Sequence, residues 1–261
     1  MRLDLPTAGL ERYKSASQCA RVATEAWGAA HLYCANCSSS RLQRLAVNTP
    51  ATDYICPSCE ARFQLKSQSR PLAYRLADAA YEPMRAAIVS DNTPNLLVLH
   101  YLREEWAVWN LILVPQFAFS LHILEKRKPL SPSAKRHGWV GCSLLLGRIP
   151  ADARIPIVAE GVVKNPGEVR KNYKRLRPLE ELSVEKRGWA LDVLNVVRSL
   201  GKKEFTLPEV YAFAELLGDL HPANRHVREK IRQQLQTLRD HSFLDFLGRG
   251  RYRLHQNSPR A

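Results

Sequence analysis

Two cysteine doublets constrain this chain more than any other feature. Cys34-x2-Cys37 and Cys56-x2-Cys59 are separated by 18 residues. Each x2 turn can aim two thiolates at one point, and two such turns close a tetrahedral shell around a single Zn²⁺. Four protein thiolates leave no open position, so the ion would hold structure rather than do chemistry. Two disulfides or four buried free thiols fit the same count. A reducing compartment argues against the disulfides, and the duplicated spacing argues against chance. Cys19 and Cys142 have no such partners and read as core residues.

Around these turns the apolar pattern alternates between helical and extended stretches. Residues 10–27 read as an amphipathic helix, with Leu10, Tyr13, Val22 and Trp27 as core positions. Residues 52–55 and 62–66 read as two short strands joined by the second Cys turn. Residues 71–90 carry Leu76, Ala80, Met84 and Ile88 at four-residue steps, which predicts a helix that Pro83 would kink. Two apolar runs follow, 95–101 and 106–114, with the charged turn Arg103-Glu104-Glu105 between them. This order predicts an α/β core over residues 1–181. Residues 126–141, with two prolines and a run of Lys and Arg, read as a long functional loop.

From Ser183 the pattern tightens into a second domain, 182–261. One helix opens at Ser183 and stops at Gly201. A second, 208–217, is capped by Thr206, and a third runs over 224–240. Residues 243–246 and 251–254 then form a hairpin around Gly248-Arg249-Gly250. Three helices and a terminal hairpin in under 80 residues is the layout of a winged helix.

Charge narrows the partners. The chain has 39 Lys and Arg against 25 Asp and Glu, an excess of +14, and both parts share it. Residues 1–181 hold 25 basic and 16 acidic side chains (+9), and residues 182–261 hold 14 and 9 (+5). An excess spread in this way favours a polyanion, either nucleic acid or an acidic membrane face. Residues 106–124 lack formal charge over nearly the length of a membrane helix. Asn110, Pro115, Gln116, Ser120 and His122 interrupt them, so they read as buried core. Asp4 and Pro6 spoil the first ten residues as a signal peptide, and a cytoplasmic protein is expected. Three basic clusters suit phosphate contact: Lys126–Lys128 with Lys135-Arg136, then residues 170–177, then Arg249, Arg251 and Arg253.

The predicted hairpin also carries a chemically suggestive set. Asp53 enters the second Cys turn and Gln64-Leu65-Lys66 leaves it. Strand alternation puts Gln64 and Lys66 on one face, with Phe63 and Leu65 on the other, and Asp53 can face Gln64 across the pair. An acid and a second oxygen donor can hold Mg²⁺ alongside water and phosphate oxygens, and an adjacent lysine can stabilise developing charge or help deprotonate water. On spacing alone the signal is weak: the pattern matches many chains by accident, and a surface-strand lysine is usually only a surface lysine.

Further motifs reach along most of the chain: Tyr13-Lys14-Ser15, Ser17-Gln18, the Cys pairs, Leu65-Lys66-Ser67, Lys128-Pro129-Leu130, Gly138-Trp139, Gly141-Cys142, Arg187-Gly188-Trp189, Glu204-Phe205-Thr206-Leu207, the run from Glu229 to Gln236, and Gly248-Arg249-Gly250. Together, over residues 10–254, they resemble the DpnI family of restriction endonucleases. The resemblance implies a PD-(D/E)XK nuclease core with a structural zinc, followed by a winged helix. It also implies Mg²⁺-dependent cutting of double-stranded DNA at GATC when the adenine is methylated, with both domains reading the site. Carried over by position, Asp53 and Lys66 are the catalytic acid and lysine, and Cys34, Cys37, Cys56 and Cys59 are the zinc ligands. Trp139 matches a tryptophan of the DNA-facing loop in the catalytic domain. One position departs: Gln64 stands where the family has glutamate, offering Mg²⁺ an oxygen without formal charge. Glu25 could supply a further carboxylate.

For DNA reading, the third C-terminal helix presents Arg232, Gln233 and Gln236, with Arg225 at its start. Guanidinium and amide groups of this kind bond to guanine and adenine edges in the major groove. Arg249 and Arg251 suit the backbone or minor groove, and Lys135, Arg136 and Trp139 would do similar work from the long loop. An adenine methyl contributes only about 1 kcal/mol when buried, so discrimination calls for both domains or for a wall such as the Trp139 indole. The resemblance thus predicts a soluble enzyme, monomeric in solution. The rival is a methyl-specific DNA-binding protein whose nuclease site has decayed at Gln64. An RNA-processing nuclease is disfavoured, because A-form RNA hides its major groove from a recognition helix.

Overall fold

The computed structural model describes residues 1–46, 49, 51–72 and 74–255. In chain order the first elements are α1 (Ala16–His31), β1 (Gln43–Arg44), β2 (Tyr54–Ile55), β3 (Arg62–Gln68), β4 (Arg75–Ala80), α2 (Tyr81–Val89), β5 (Asn95–Leu102) and β6 (Ala107–Val114). Next come β7 (Leu124–Lys126), β8 (Gly141–Leu145), β9 (Ile155–Ala159), β10 (Val162–Val163) and α3 (Pro166–Leu176). The C-terminal stretch adds α4 (Val184–Ser199), β11 (Glu204–Thr206), α5 (Leu207–Tyr211), α6 (Ala214–Leu220), α7 (Val227–Asp240), β12 (Leu244–Gly248) and β13 (Arg251–Leu254). The fold is mixed α/β with a C-terminal helical DNA-binding motif, and two compact units divide it.

The first unit comprises residues 1–73, 92–116 and 153–177. Its sheet runs β1-β2-β3-β5-β6-β9-β10, with β3 and β5 parallel and the other neighbours antiparallel. The apolar runs of β5 and β6 lie at its centre, where Leu97, Val98, Leu99, Leu111 and Leu113 have almost no exposed surface. Most of the long uncharged stretch is therefore core, although Trp109 and Leu121 are exposed, and among the described residues no helix is long and apolar enough to cross a membrane. Helix α1 starts at Ala16 rather than at residue 10. Gly9 (φ 81°) and the extended Tyr13 confine the earlier residues to a short 3-10 turn, Leu10–Arg12. Tyr13, expected in the core, is exposed. Gly28 lets α1 sit directly on the Tyr54 ring, whose hydroxyl donates to the Glu25 carbonyl at 2.8 Å.

The second unit comprises residues 74–91, 117–152 and 178–261, as far as they are described. A small antiparallel sheet, β4-β8-β7, lies in it beside α2. Here the predicted 71–90 helix is corrected: residues 75–80 pair with β8 as a strand, and only 81–89 are helical. Pro83 falls in the first turn of α2, where a missing N–H costs nothing. The winged-helix part forms as expected, with the sheet order β11-β13-β12 and Arg249 between two left-handed glycines at the hairpin tip. Its expected middle helix is two short ones, α5 and α6, parted at residues 212–213. Its third helix begins at Val227. Ile231, Gln234, Leu235 and Leu238 are buried along α7, and Arg232, Gln233 and Gln236 are exposed.

Candidate functional site

The four cysteine sulfurs converge. All lie within 4.8 Å of one another, with Cys34–Cys59 at 3.6 Å and Cys37–Cys56 at 3.5 Å. Sulfurs around a tetrahedral zinc with bonds of ~2.3 Å stand about 3.8 Å apart, so the cluster has the dimensions of one ion. Donors already point at the thiols: Ser39 N at Cys37 and Ser58 N at Cys56, both at 3.4 Å, and Asn36 Nδ2 at Cys59 at 3.5 Å. Such bonds favour thiolates over thiols. Burial pushes the Cys34 thiol up. At Cys56 burial acts the same way, but the Ser58 and Cys59 N–H groups and the Cys37 and Cys59 side chains outweigh it and hold the thiol at about 6. All six cysteines are free, and the donor set fits zinc.

One residue of this centre escaped the sequence. Arg170 of α3 reaches the first Cys turn, where Nε donates to the carbonyls of Cys34 (3.0 Å) and Cys37 (2.9 Å) and Nη2 donates to that of Ser39 (3.1 Å). Its guanidinium also lies 5.1 Å from the Tyr33 ring centre. Assigned by sequence to a phosphate-binding cluster, Arg170 is committed to the first Cys turn.

The second Cys turn joins β2 to β3. Their register pairs Tyr54 with Phe63 and Ile55 with Arg62, and Asp53 lies just before the paired stretch, bonded to Phe63 and Leu65 of β3. Asp53 is anchored on both sides: its N–H donates to the Phe63 carbonyl (2.9 Å), and its carbonyl accepts from Leu45 N (2.9 Å). Because β2 is so short, β3 has no strand partner on that side beyond this point among the described residues. Asp53 Oδ2 substitutes, accepting from Leu65 N at 2.7 Å, which leaves Oδ1 as the oxygen that can reach a cation. On β3, Ser67 turns its hydroxyl to Thr24 of α1 at 3.1 Å, so the opposite parity, Gln64 and Lys66, faces away from α1. Gln64 is 9% exposed and Lys66 half-buried. Glu25 is engaged elsewhere, paired with Arg44 and, at 3.6 Å, with Arg21.

Family models cover the chain almost end to end. That of the Dam-replacing family (DpnI) matches residues 1–182, and that of the Dam-replacing HTH domain matches residues 185–254. The chain belongs to the Dam-replacing family. Membership makes it a nuclease of the methylation-dependent restriction type with a DNA-binding helix-turn-helix domain.

The expected DNA-reading residues of this Dam-replacing protein all lie in its second unit. Arg225 is exposed just ahead of α7, and Arg232, Gln233 and Gln236 are exposed on it. Tyr211 stacks beneath two cations of this surface, Arg228 at 5.4 Å and Arg232 at 5.8 Å. Arg249 is exposed at the wing tip, and Arg251 lies 3.3 Å from Glu204, which Arg253 also engages. The loop joining β7 to β8 carries Lys135 and Arg136 exposed. The Arg136 guanidinium sits 4.8 Å from the Trp139 ring centre, and that ring lies against Gly141, where a Cβ would meet it at 2.7 Å. Backbone bonds Leu130 N to Trp139 O (3.0 Å) and Arg127 N to Gly141 O (3.0 Å) keep the loop a closed hairpin.

Two further features belong to the structural frame of the second unit. Arg187, only 1% exposed, makes a bidentate pair with Asp91. Glu209 caps α5 by reaching back to Thr206 N at 2.7 Å.

Proposed function

We propose that the protein cuts double-stranded DNA at GATC sites methylated on adenine, using Mg²⁺ held by Asp53 and Gln64, with Lys66 beside the scissile phosphate. The observation that carries this reading is the Asp53–Leu65 bond, which fixes a carboxylate at the start of the Gln64-x-Lys66 strand. Bound there, Mg²⁺ would supply positive charge and a polarised water. Lys66 stabilises the charge developing on the phosphate oxygens and takes part in removing the water proton. Water oxygen adds to phosphorus, one P–O ester bond breaks, and a proton reaches the departing oxygen. The amide of Gln64 donates an uncharged oxygen, so metal affinity below that of a two-carboxylate site is expected.

On the α1 face of its sheet, opposite to Gln64 and Lys66, the first unit also has a basic cavity of about 690 Å³, lined by Lys14, Arg21, Arg70 and Arg103 with Ser17, Ser67 and Ser69. Site reading falls to Arg225, Arg232, Gln233 and Gln236 in the major groove, with Arg249 and Arg251 on the backbone. Lys135, Arg136 and the Trp139 indole supply a second contact to the methylated site. A functional division at 181/182 is part of the same reading and agrees with where the two family models meet. The protein works as a cytoplasmic monomer.

The test is a digest of two plasmids, one methylated at GATC and one not, with and without Mg²⁺. Cleavage of the methylated plasmid alone, only with Mg²⁺, is expected. Lys66→Ala should abolish it and leave binding intact. Equal cutting of both plasmids would refute the methyl dependence, and tight binding without cleavage in Mg²⁺ or Mn²⁺ would refute the nuclease site.

A further inference from the structure

A second cluster of metal-ligating side chains lies in the second unit, with no part in the chemistry above. His122, from a 3-10 turn at Leu121–Ile123, brings Nδ1 to 2.8 Å from Asp192 Oδ2. His221, just past the end of α6, brings Nε2 to 3.0 Å from the same oxygen. These ligand atoms lie within 4.8 Å of one another. Ligands bound at ~2.0–2.1 Å in a tetrahedral shell stand about 3.3 Å apart, close to the N···O separations here.

The cluster is built rather than incidental. Asp192 lies in the middle of α4 and is only 4% exposed. The His221 ring is stacked on Trp189 at 3.6 Å and 11°, and the His122 backbone is held through its carbonyl by Arg148 Nη1 at 2.8 Å. Gly188 opens the helix surface: a Cβ there would already touch Ser120 and stand 3.9 Å from the His122 ring. Glycine inside a helix costs about 0.5–1 kcal/mol relative to alanine, so the room beside His122 is kept at some expense. Beyond the two rings lies a cavity of about 260 Å³, bounded by Ser120, Gly188 and Val184 among others. It provides space for a water or another small oxygen ligand in a fourth position.

We infer that His122, Asp192 and His221 form a second metal site, for a divalent ion of the zinc class. Two imidazoles and one carboxylate suit Zn²⁺ and its transition-metal neighbours, and do not suit Mg²⁺, which takes oxygen ligands. Binding displaces the proton from each of these ring nitrogens, to the other nitrogen of a neutral ring or to solvent from an imidazolium, so the nitrogens that face Asp192 become ligands beside it. The ion would tie α4 and α6 of the helix-turn-helix to the 121–123 turn, a clip separate from the four-cysteine centre.

Metal content of the full chain decides this without any DNA cleavage. After equilibration with Zn²⁺ and removal of loose ions, the wild-type chain should hold two ions and His122→Gln one. His122 is the most exposed of the three ligands, and glutamine keeps a polar group against Asp192. Loading with Co²⁺ provides a control that needs no variant: the wild type should show the intense thiolate-to-cobalt band of one four-sulfur site plus a weaker absorption from a nitrogen–oxygen site. His122→Gln should lose only the weaker absorption. One ion per wild-type chain with only the thiolate signature would overturn the proposal, leaving a hydrogen-bonded cluster. Two ions retained by His122→Gln would overturn it equally.

Discussion

Replacing Arg170 with methionine tests how the four-cysteine centre is held. Methionine keeps a flexible stem over Tyr33 and removes the donors to the first Cys turn. The Nε bonds to Cys34 O and Cys37 O, at 3.0 and 2.9 Å, are the ones that water replaces least well, because Cys34 is fully buried. The Ser39 carbonyl, at 3.1 Å from Nη2, lies nearer the surface and can turn to solvent. The single Nε hydrogen is shared between the two inner carbonyls, and this three-centre bond from a charged donor is counted once, at about 3 kcal/mol, the upper end for such bonds. The lost cation–π contact adds about 0.5 kcal/mol. If most of that loss is felt when the first turn lets go of the ion, zinc transfer to a chromophoric chelator should quicken on the order of 100-fold. The midpoint of thermal unfolding should fall by about 10 °C. Arg170→Lys should lie between, since one ammonium cannot fork to three carbonyls. Zinc release and unfolding both unchanged in Arg170→Met, within about threefold and about 2 °C, would refute the role assigned to this side chain.

Asp91→Ala should destabilise the protein by about 3 kcal/mol in urea unfolding, at the low end for a broken buried pair because Asp91 itself is 46% exposed. Arg187→Met in that background should restore part of the loss, and a change below about 1 kcal/mol would show that Arg187 is satisfied without Asp91. The Glu209 carboxyl is held down from 4.5 to about 2, chiefly by Lys202 and then by the Thr206 N–H and hydroxyl. A depressed acid stabilises the fold fully above its unfolded value, so this contribution should fade as pH falls from 4.5 toward 2. Glu209→Gln should flatten thermal stability against pH across that window, and an identical slope in the variant would refute the link. Arg232→Ala should weaken binding to the methylated site by about 1–3 kcal/mol and relax its sequence preference. Arg249→Ala should weaken binding to all DNA alike and shallow the salt dependence by about one phosphate contact. Equal effects on specific and random DNA in both variants would undo the division of labour.

The features legible in the sequence were those set by local spacing. The Cys doublets, the apolar strands β5 and β6, and the terminal hairpin announce themselves within a few residues. Strand β4 was misread because a four-residue step is also an even step: Leu76 and Ala80 share a face whether the chain is helical or extended. The 208–217 helix was read as continuous because no glycine or proline marks the break at residues 212–213. Arg170 could not be foreseen, since it serves a turn more than 130 residues away and reads locally as one more base in a basic run. His122 and His221 are 70 and 29 residues from Asp192, with no motif joining them. Arg187-Gly188-Trp189 stands out in the sequence only through the resemblance, and its three roles, buried partner of Asp91, space beside His122 and platform for His221, emerge from packing alone.

The loop that gathers two of the four sulfurs is the same loop that joins the Asp53 strand to the Lys66 strand, with three residues between Asp53's neighbour Tyr54 and Ser58 at its apex. Stripping divalent ions with a strong chelator, or oxidising the thiols, would therefore slacken the scaffold under the proposed catalytic residues as well as remove the Mg²⁺ proposed to act with them. A preparation silenced in this way and not revived by Mg²⁺ alone would point to a lost scaffold, and revival would require reductant and Zn²⁺ first, with Mg²⁺ second.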